Sequence, residues 1–304
     1  MASFTGIADE AGNPLATQIR ATQALGWDSL ELRNVQLPGF PTANVHDLPP
    51  AAFELLCRDL AAANLSVAAF GSSIGNWASP ITDPFDTTLE RLQRAIPRMQ
   101  QLGTRFLRIM SFAVLKDASG ADLPDQCDAE RFRRLREIKA RCDDAGLVAV
   151  HENCMNYGGM SISHALRTLD AVPGLRWVFD TANPLFNEDR DRPGHQQDPW
   201  DFYQAVKPAI SHFHIKDGIY DPLLRDCHYT LPGLGHGAVP RILADALASG
   251  YQGFLSIEPH TAVVFHSAPT ETDADPAARA EQQFQSYLDY GRALQNLVAS
   301  LPLS

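Results

Sequence analysis

The sequence shows no cysteine pattern and no long apolar segment of the kinds that are typical of secreted or membrane-spanning proteins. Its cysteines are odd in number, and no two have zinc-finger or redox-motif spacing: Cys57, Cys127, Cys142, Cys154 and Cys227. We therefore expect reduced thiols in a cytoplasmic protein. The first residues contain no basic segment followed by an apolar one, and no stretch of about 18 apolar residues occurs anywhere. We accordingly expect neither a secretory signal nor a membrane span.

Positive charge is also scarce. The chain has 25 Lys and Arg against 36 Asp and Glu, which gives a net charge of −11. No run of Lys or Arg is present to build a basic groove. DNA, RNA and anionic membranes are therefore poor general partners.

What the sequence has is an alternation of short apolar segments with amphipathic helical patterns. Hydrophobic residues make up 45% of the 304 positions and charged residues 20%, which is an ordinary globular balance. Strands are predicted at residues 4–8, 29–32, 65–70, 105–110, 147–151, 175–179, 209–214 and 253–257. Helices are predicted at 15–25, 51–63, 87–102, 129–145, 163–169, 199–206, 240–248 and 277–300.

Eight strand-then-helix units in a chain of this length predict an α/β fold, a single-domain (β/α)₈ TIM barrel over residues 1–304. The alternative is a doubly wound open sheet. That fold usually has a Gly-rich phosphate turn after its first strand, which residues 8–12 do not provide. Three long loops, 181–198, 215–239 and 258–276, all follow predicted strands. In a barrel they would lie on the C-terminal face and cover a pocket there.

Four successive strands end in residues that can bind a metal. Strands five to eight deliver Glu152, Asp180, His214 and Glu258 to one rim of the predicted barrel. Three carboxylates at one place repel each other unless a cation lies between them. Oxygen ligands with one imidazole suit Mn²⁺ or Mg²⁺, and Co²⁺ or Zn²⁺ less decisively. One acidic residue after a strand is often only a helix N-cap, so the prediction depends on the set of four.

Three segments carry a family resemblance: Phe-Asp-Thr-Ala-Asn at 179–183, His-Phe-His-Ile-Lys-Asp at 212–217 and Ser-Ile-Glu-Pro-His at 256–260. They resemble the xylose isomerase-like barrel superfamily, which includes sugar and sugar-phosphate isomerases and epimerases, inosose dehydratase and the endonuclease IV branch. The resemblance covers most of the chain, from residue 8 to Glu258.

The resemblance implies one divalent ion, with Mn²⁺ favoured and Mg²⁺, Co²⁺ or Zn²⁺ as alternatives, bound by Glu152, Asp180, His214 and Glu258. In the ketose 3-epimerases of the superfamily the two glutamates also exchange a proton on opposite faces of the substrate. By position, Glu152 and Glu258 are therefore the implied catalytic residues.

The sequence departs from those epimerases in the substrate shell. Gly158 and Tyr220 stand where the epimerases tend to have Glu and Arg, and Asn183 stands where they tend to have His. The segment His-Ile-Lys-Asp at 214–217 instead resembles inosose dehydratase-like members. Lys216 could hold a substrate hydroxyl, an enolate or a carboxylate, or it could simply pair with a nearby acid such as Asp217.

Further residues at strand ends and in loops are candidates for the pocket. His212, one layer below His214, is expected to be a hydrogen-bonded core histidine, whereas His260 and His266 flank the last loop and could reach the site. Trp77 could form an apolar wall, and the Gly-rich loop 231–237 could approach a ligand or be only a turn. The predicted substrate-binding residues are Glu31, Arg33, Arg108, Asn183, Lys216 and His260.

Four functions follow from these features. The first is a metal-dependent isomerase or epimerase of a ketose or keto-polyol, and the second is a dehydratase or lyase that begins with the same proton abstraction. An endonuclease IV-like DNA-repair enzyme is disfavoured by the −11 charge and by the lack of a matching set of histidines. A non-catalytic sugar-binding barrel has no need of two opposed carboxylates. The expected partner is a small carbohydrate, and the outer helices could support a homo-oligomer.

Overall fold

The computed structural model describes residues 2–224, 226–261 and 275–302. Within them, eight parallel strands alternate with eight helices. The strands are β1 (Ser3–Gly6), β2 (Ser29–Leu32), β3 (Ser66–Gly71), β4 (Phe106–Ile109), β5 (Val148–Glu152), β6 (Arg176–Asp180), β7 (Ile210–Ile215) and β8 (Phe254–Ile257). The helices are α1 (Leu15–Ala24), α2 (Pro50–Ala62), α3 (Phe85–Leu102), α4 (Asp128–Asp144), α5 (Ile162–Ala171), α6 (Pro199–Val206), α7 (Val239–Ala248) and α8 (Pro276–Ser300).

The strands form a nearly closed barrel. The order of hydrogen-bonded strands is β1, β8, β7, β6, β5, β4, β3 and β2. The two ends of this sheet meet through one parallel bridge between Ile7 and Glu31, and the Thr5 hydroxyl donates to the Ser29 carbonyl at 2.9 Å. The predicted (β/α)₈ TIM barrel is confirmed, and the open-sheet alternative is wrong.

Prolines and glycines mark where the helices begin and end. Pro50 and Pro199 are the first residues of α2 and α6, where a missing backbone N–H costs nothing. Gly26 and Gly103 follow α1 and α3 with φ of 71° and 69°, a region that favours glycine. These signals explain why each predicted boundary lies within two residues of the observed one.

Side chains along the strands alternate between the helix layer and the barrel interior. Large apolar residues such as Phe70 and Trp177 pack into clusters with residues of the surrounding helices. Inside the barrel, Glu31 on β2 contacts His212 on β7 and Ser256 on β8 instead. The polar interior therefore lies directly below the strand ends that were predicted to carry the site.

Two elements that the sequence analysis did not predict lie in the long loops after β6 and β7. A one-turn helix, Asn183–Phe186, follows β6, and an antiparallel hairpin of Asp217–Asp221 and Asp226–Thr230 follows β7. They meet where Phe186 packs on Tyr229, with ring centroids 5.1 Å apart. Most of the third long loop lies outside the described residues, and so does His266. Among the described helices, none combines the length and apolar character needed to cross a bilayer.

The Gly-rich loop wraps the buried side chain of Asp217. Asp217 Oδ1 accepts hydrogen bonds from the backbone N–H groups of Gly218 (2.9 Å) and Gly237 (2.8 Å), and Oδ2 from those of Gly233 (2.8 Å) and Gly235 (3.1 Å). A Cβ on Gly235 would lie 2.3 Å from Oδ1. Glycine is therefore required where the loop turns around this carboxylate. Of the two roles expected for the loop, the structure favours the turn over approach to a ligand.

Replacing Asp217 with Asn is expected to destabilise the protein. Asparagine offers one acceptor oxygen, so buried N–H groups lose their partners at a cost of about 3 kcal/mol. Urea unfolding followed by circular dichroism measures this difference. The control is Asp221→Asn. The Asp221 carboxylate likewise accepts hydrogen bonds from backbone N–H groups, those of Leu223 and Leu224, but it is accessible to water. Equal losses in the two variants would contradict the role given to Asp217.

Candidate metal centre and substrate cavity

The four predicted metal ligands meet at the C-terminal end of the barrel. Glu152 and Asp180 are the last residues of β5 and β6, His214 lies in β7, and Glu258 follows β8. One potential ligand atom of each lies within 4.8 Å of those of the others, and all four side chains are buried. The barrel thus gathers residues from four separate strands around one point.

The His214 ring is oriented by a carboxylate below it. Its Nδ1 lies 3.0 Å from Glu152 Oε1 and 3.9 Å from Glu258 Oε2, so this nitrogen faces the other ligands. Its Nε2 lies 3.1 Å from Glu31 Oε1. Burial disfavours the charged ring, but Glu31 and Glu152 outweigh that effect and raise the pKa of His214 well above its ordinary value.

Glu31 lies behind His214 rather than beside the cavity. Its Oε2 is 2.8 Å from His212 Nε2 and accepts a hydrogen bond from the Ser256 hydroxyl at 2.8 Å. The side chain has no exposed surface. Glu31 therefore contacts His212, His214 and Ser256 and is not among the residues that line the cavity, where it was predicted to bind substrate. His212 is the hydrogen-bonded core histidine that the sequence analysis expected.

Asp180 presents one oxygen to the centre. Its Oδ1 accepts hydrogen bonds from the backbone N–H groups of Ala182 (2.9 Å) and Asn183 (2.7 Å). Its Oδ2 lies 2.9 Å from Lys216 Nζ. Asn183, predicted to bind substrate, thus holds the candidate ligand Asp180 through its backbone N–H.

Basic residues hold the two glutamates. Arg108 Nη1 donates to Glu152 Oε2 at 3.0 Å, and Arg33 Nη1 donates to Glu258 Oε1 at 2.9 Å. Lys216 Nζ donates to Glu258 Oε2 at 3.1 Å. The arginines therefore occupy one oxygen of each glutamate, and the other oxygen faces His214 Nδ1.

Asp9 and Glu10 are members of the site that the sequence analysis did not assign. Arg33 Nε lies 3.0 Å from Asp9 Oδ2, and Arg33 Nη2 donates to Glu10 Oε1 at 2.9 Å. Glu10 also accepts a hydrogen bond from the backbone N–H of His260 at 3.0 Å. The ring of His260 is buried, with Nε2 3.9 Å from Glu258 Oε1. The family resemblance begins at residue 8 and so includes these two acids, but no local sequence pattern identified Arg33 as their partner.

The charges of this region fit a divalent cation. The carboxylates are Asp9, Glu10, Glu31, Glu152, Asp180 and Glu258, and the permanent cations are Arg33, Arg108 and Lys216. Six carboxylates against three permanent cations leave an excess of three negative charges, or of two when the His214 ring is protonated. Burial, together with Glu258 and Glu152, raises the pKa of Asp180 to about 6, although Lys216 opposes this. Three carboxylates and one imidazole nitrogen are also a donor set that Mn²⁺ or Mg²⁺ accepts.

A cavity of about 230 Å³ opens above the ligands. Both candidate catalytic residues, Glu152 and Glu258, line it. Of the predicted substrate-binding residues, Arg33, Arg108 and Lys216 line it as well, and so does Trp77.

Comparisons with known proteins agree with this description. A family model described as a xylose isomerase-like TIM barrel matches residues 19–287. No match was found among proteins of curated function. The probable 3-DHS dehydratase AsbF from Bacillus anthracis superposes with a TM-score of 0.67 at 15% identity, covering 97% of this chain and 99% of that one.

Two further solved structures are similar. D-Psicose 3-epimerase from Clostridium cellulolyticum H10 has a TM-score of 0.64 at 16% identity, covering 97% of this chain and 99% of that one. A xylose isomerase-like TIM barrel protein from Mycobacterium smegmatis, solved in complex with magnesium, has a TM-score of 0.64 at 16% identity, covering 95% of this chain and 97% of that one. At these identities the likeness shows the fold alone.

Proposed function

This chain belongs to the xylose isomerase-like TIM barrel family, and from that premise we propose that it is a metal-dependent isomerase or epimerase of a ketose or keto-polyol. The observation that carries the proposal is the pair Glu152 and Glu258. Both line one buried cavity, and both lie beside the same histidine nitrogen. A pair of buried carboxylates in one cavity can remove a proton from a carbon and return it.

Glu152, Asp180, His214 and Glu258 would hold the metal. When bound, such an ion acts as a Lewis acid that polarises a carbonyl and a neighbouring hydroxyl, which acidifies the adjacent C–H bond. Glu31 holds the His214 ring so that Nδ1 faces the ligands. The backbone N–H groups on Asp180 Oδ1 leave its Oδ2 for the centre.

Glu152 and Glu258 would move the proton. Burial alone would raise the pKa of both groups, but Arg108 and His214 lower that of Glu152, and Lys216 and His260 lower that of Glu258. Both carboxylates are therefore ionised at neutral pH and can act as bases. Positioned acid–base groups of this kind contribute about 10²- to 10⁴-fold to a rate.

Lys216, Arg33 and Arg108 would bind the substrate oxygens. All three line the cavity, and their N–H groups would stabilise the oxygen on which negative charge develops as the proton leaves.

A dehydratase is the second candidate, and the place of Lys216 favours it. Its ammonium lies 3.1 Å from Glu258 Oε2, so an acid stands directly beside a base. In an elimination, a glutamate would take the C–H proton, the β C–O bond would break, and Lys216 would protonate the departing hydroxyl to give water. The solved structures similar to this chain include both a probable dehydratase and an epimerase.

Deuterium exchange distinguishes these functions. The protein, reconstituted with Mn²⁺, is incubated in D₂O with D-fructose, D-psicose and scyllo-inosose, and the products are followed by NMR and mass spectrometry. We expect deuterium on the carbon next to the carbonyl, in a ketose that is recovered intact or as its epimer or isomer. An unsaturated product establishes the dehydratase. A fully metal-loaded protein that neither exchanges deuterium nor eliminates water with any keto-sugar would overturn both.

A further inference from the structure

A second, larger cavity adjoins the one above the ligands. Its volume is about 440 Å³, against about 230 Å³ for the inner cavity, and Trp77 lines both. The loops that follow β4 to β7 form its other walls, with Met155 and Asn187 among the lining residues. We call the two spaces the inner and outer cavities.

The two volumes together suit a substrate larger than one reacting unit. Sites for small organic molecules usually measure about 300–1,000 Å³, a range that the inner cavity alone does not reach. The outer cavity is nearly twice the size of the inner one. It would therefore hold a group at least as large as the unit that reacts.

The walls of the outer cavity suit a ring that carries hydroxyl groups. Trp77, Phe186 and Tyr220 contribute aromatic rings, against which the apolar face of a sugar or another ring can pack. Among the described contacts, neither the Asn187 amide nor the Tyr220 hydroxyl makes a hydrogen bond within the protein, so both can serve a ligand.

The charges of the outer cavity do not favour a phosphate. Lys116 Nζ lies 3.7 Å from Asp122 Oδ1, and Arg190 Nε donates to Oδ2 of the same carboxylate. Arg190 also lies 3.6 Å from Glu188. Two acids thus offset the two cations, and a neutral group is the better fit.

We propose that the substrate is a keto-sugar joined by a glycosidic bond to a second ring, with the keto unit in the inner cavity and the second ring in the outer one. This inference rests on the proposed function of the inner cavity and adds the class of substrate. Trp77 stands at the junction of the two units, and Asn187 and Tyr220 determine the preference for the second ring.

The test compares two probes that share the reacting unit, 3-keto-D-glucose and cellobiose oxidised to the ketone at C3 of its non-reducing ring, whose second ring carries hydroxyl groups. The kcat/KM for deuterium exchange is expected to be at least about 10-fold higher for the glycoside, a difference of about 1.4 kcal/mol. Asn187→Trp fills the outer cavity and should bring the ratio of the two kcat/KM values to within about two-fold of one. Tyr220→Phe keeps the volume and should reduce the advantage in part, which provides a second variant if Asn187→Trp folds poorly.

The outcomes separate the two proposals. Equal rates with both probes, unchanged in Asn187→Trp and Tyr220→Phe, would overturn the two-ring substrate and leave the proposed function standing. If neither probe exchanges deuterium, calorimetric titration with cellobiose decides. Binding that Asn187→Trp or Tyr220→Phe weakens supports the outer cavity, and no binding overturns it.

Discussion

Glu258→Gln is expected to lose the bound metal and nearly all proton exchange. The variant removes one of the four proposed anionic or imidazole ligands and one of the two carboxylates proposed to act as a base. It also removes the negative charge that compensates Arg33 and Lys216, whose nitrogens lie 2.9 Å and 3.1 Å from the Glu258 oxygens. The loss of a positioned base alone lowers a rate by about 10²- to 10⁴-fold, and the loss of a ligand adds to it. We expect a decrease of at least about 10³-fold in deuterium exchange.

Elemental analysis and the exchange assay measure this effect. Wild-type protein reconstituted with Mn²⁺ should hold close to one ion per chain, and Glu258→Gln should hold much less. Glu54→Gln, on the exposed face of α2, is the matched control and should behave as wild type. Circular dichroism shows whether the variant is folded, and Glu152→Gln provides a second test at the other glutamate. Full metal content together with full exchange in both active-site variants would contradict the centre.

Glu31→Gln is expected to weaken metal binding although Glu31 is not one of the four candidate ligands. The carboxylate bonds to His214 and His212 at 3.1 Å and 2.8 Å, and it has no access to water that could replace it. An amide in its place turns an N–H group toward one of the two histidines and removes the charge that holds the His214 ring. Outer-shell changes of this kind cost about 10- to 100-fold in metal affinity. Breaking a buried ionic contact also costs about 3–5 kcal/mol of folding stability.

Titration with Mn²⁺ and denaturant unfolding in the presence of a chelator measure the two effects separately. Ser256→Ala is the control, because it removes a hydrogen bond to the same carboxylate oxygen while the charge remains. It should lose about 1 kcal/mol and keep its metal affinity. If Glu31→Gln loses stability but binds Mn²⁺ as wild type does, Glu31 supports the barrel and does not position His214.

Local patterns in the sequence were sufficient for the barrel. Apolar segments of strand length, helical periodicity, prolines at helix starts such as Pro199 and glycines after helix ends such as Gly103 act over a few residues. The convergence of the four candidate ligands also followed, because parallel strands of a barrel bring their C-terminal ends to one rim. The hairpin after β7 was not predicted. Residues 217–230 show neither a clear alternation of apolar and polar residues nor a turn sequence that is typical of hairpins.

The amino-acid order alone therefore accounts for a (β/α)₈ barrel with Glu152, Asp180, His214 and Glu258 at one end. Which residues contact those four side chains could be seen only in the tertiary structure. Arg33 and Glu258 are 225 positions apart, and no local pattern relates them. Which oxygen of each carboxylate faces inward, and that Glu31 supports His214 rather than a substrate, depend on contacts across the barrel. A buried charge takes whichever partner the packed strands bring within hydrogen-bond distance, and that distance exists only after the barrel has closed.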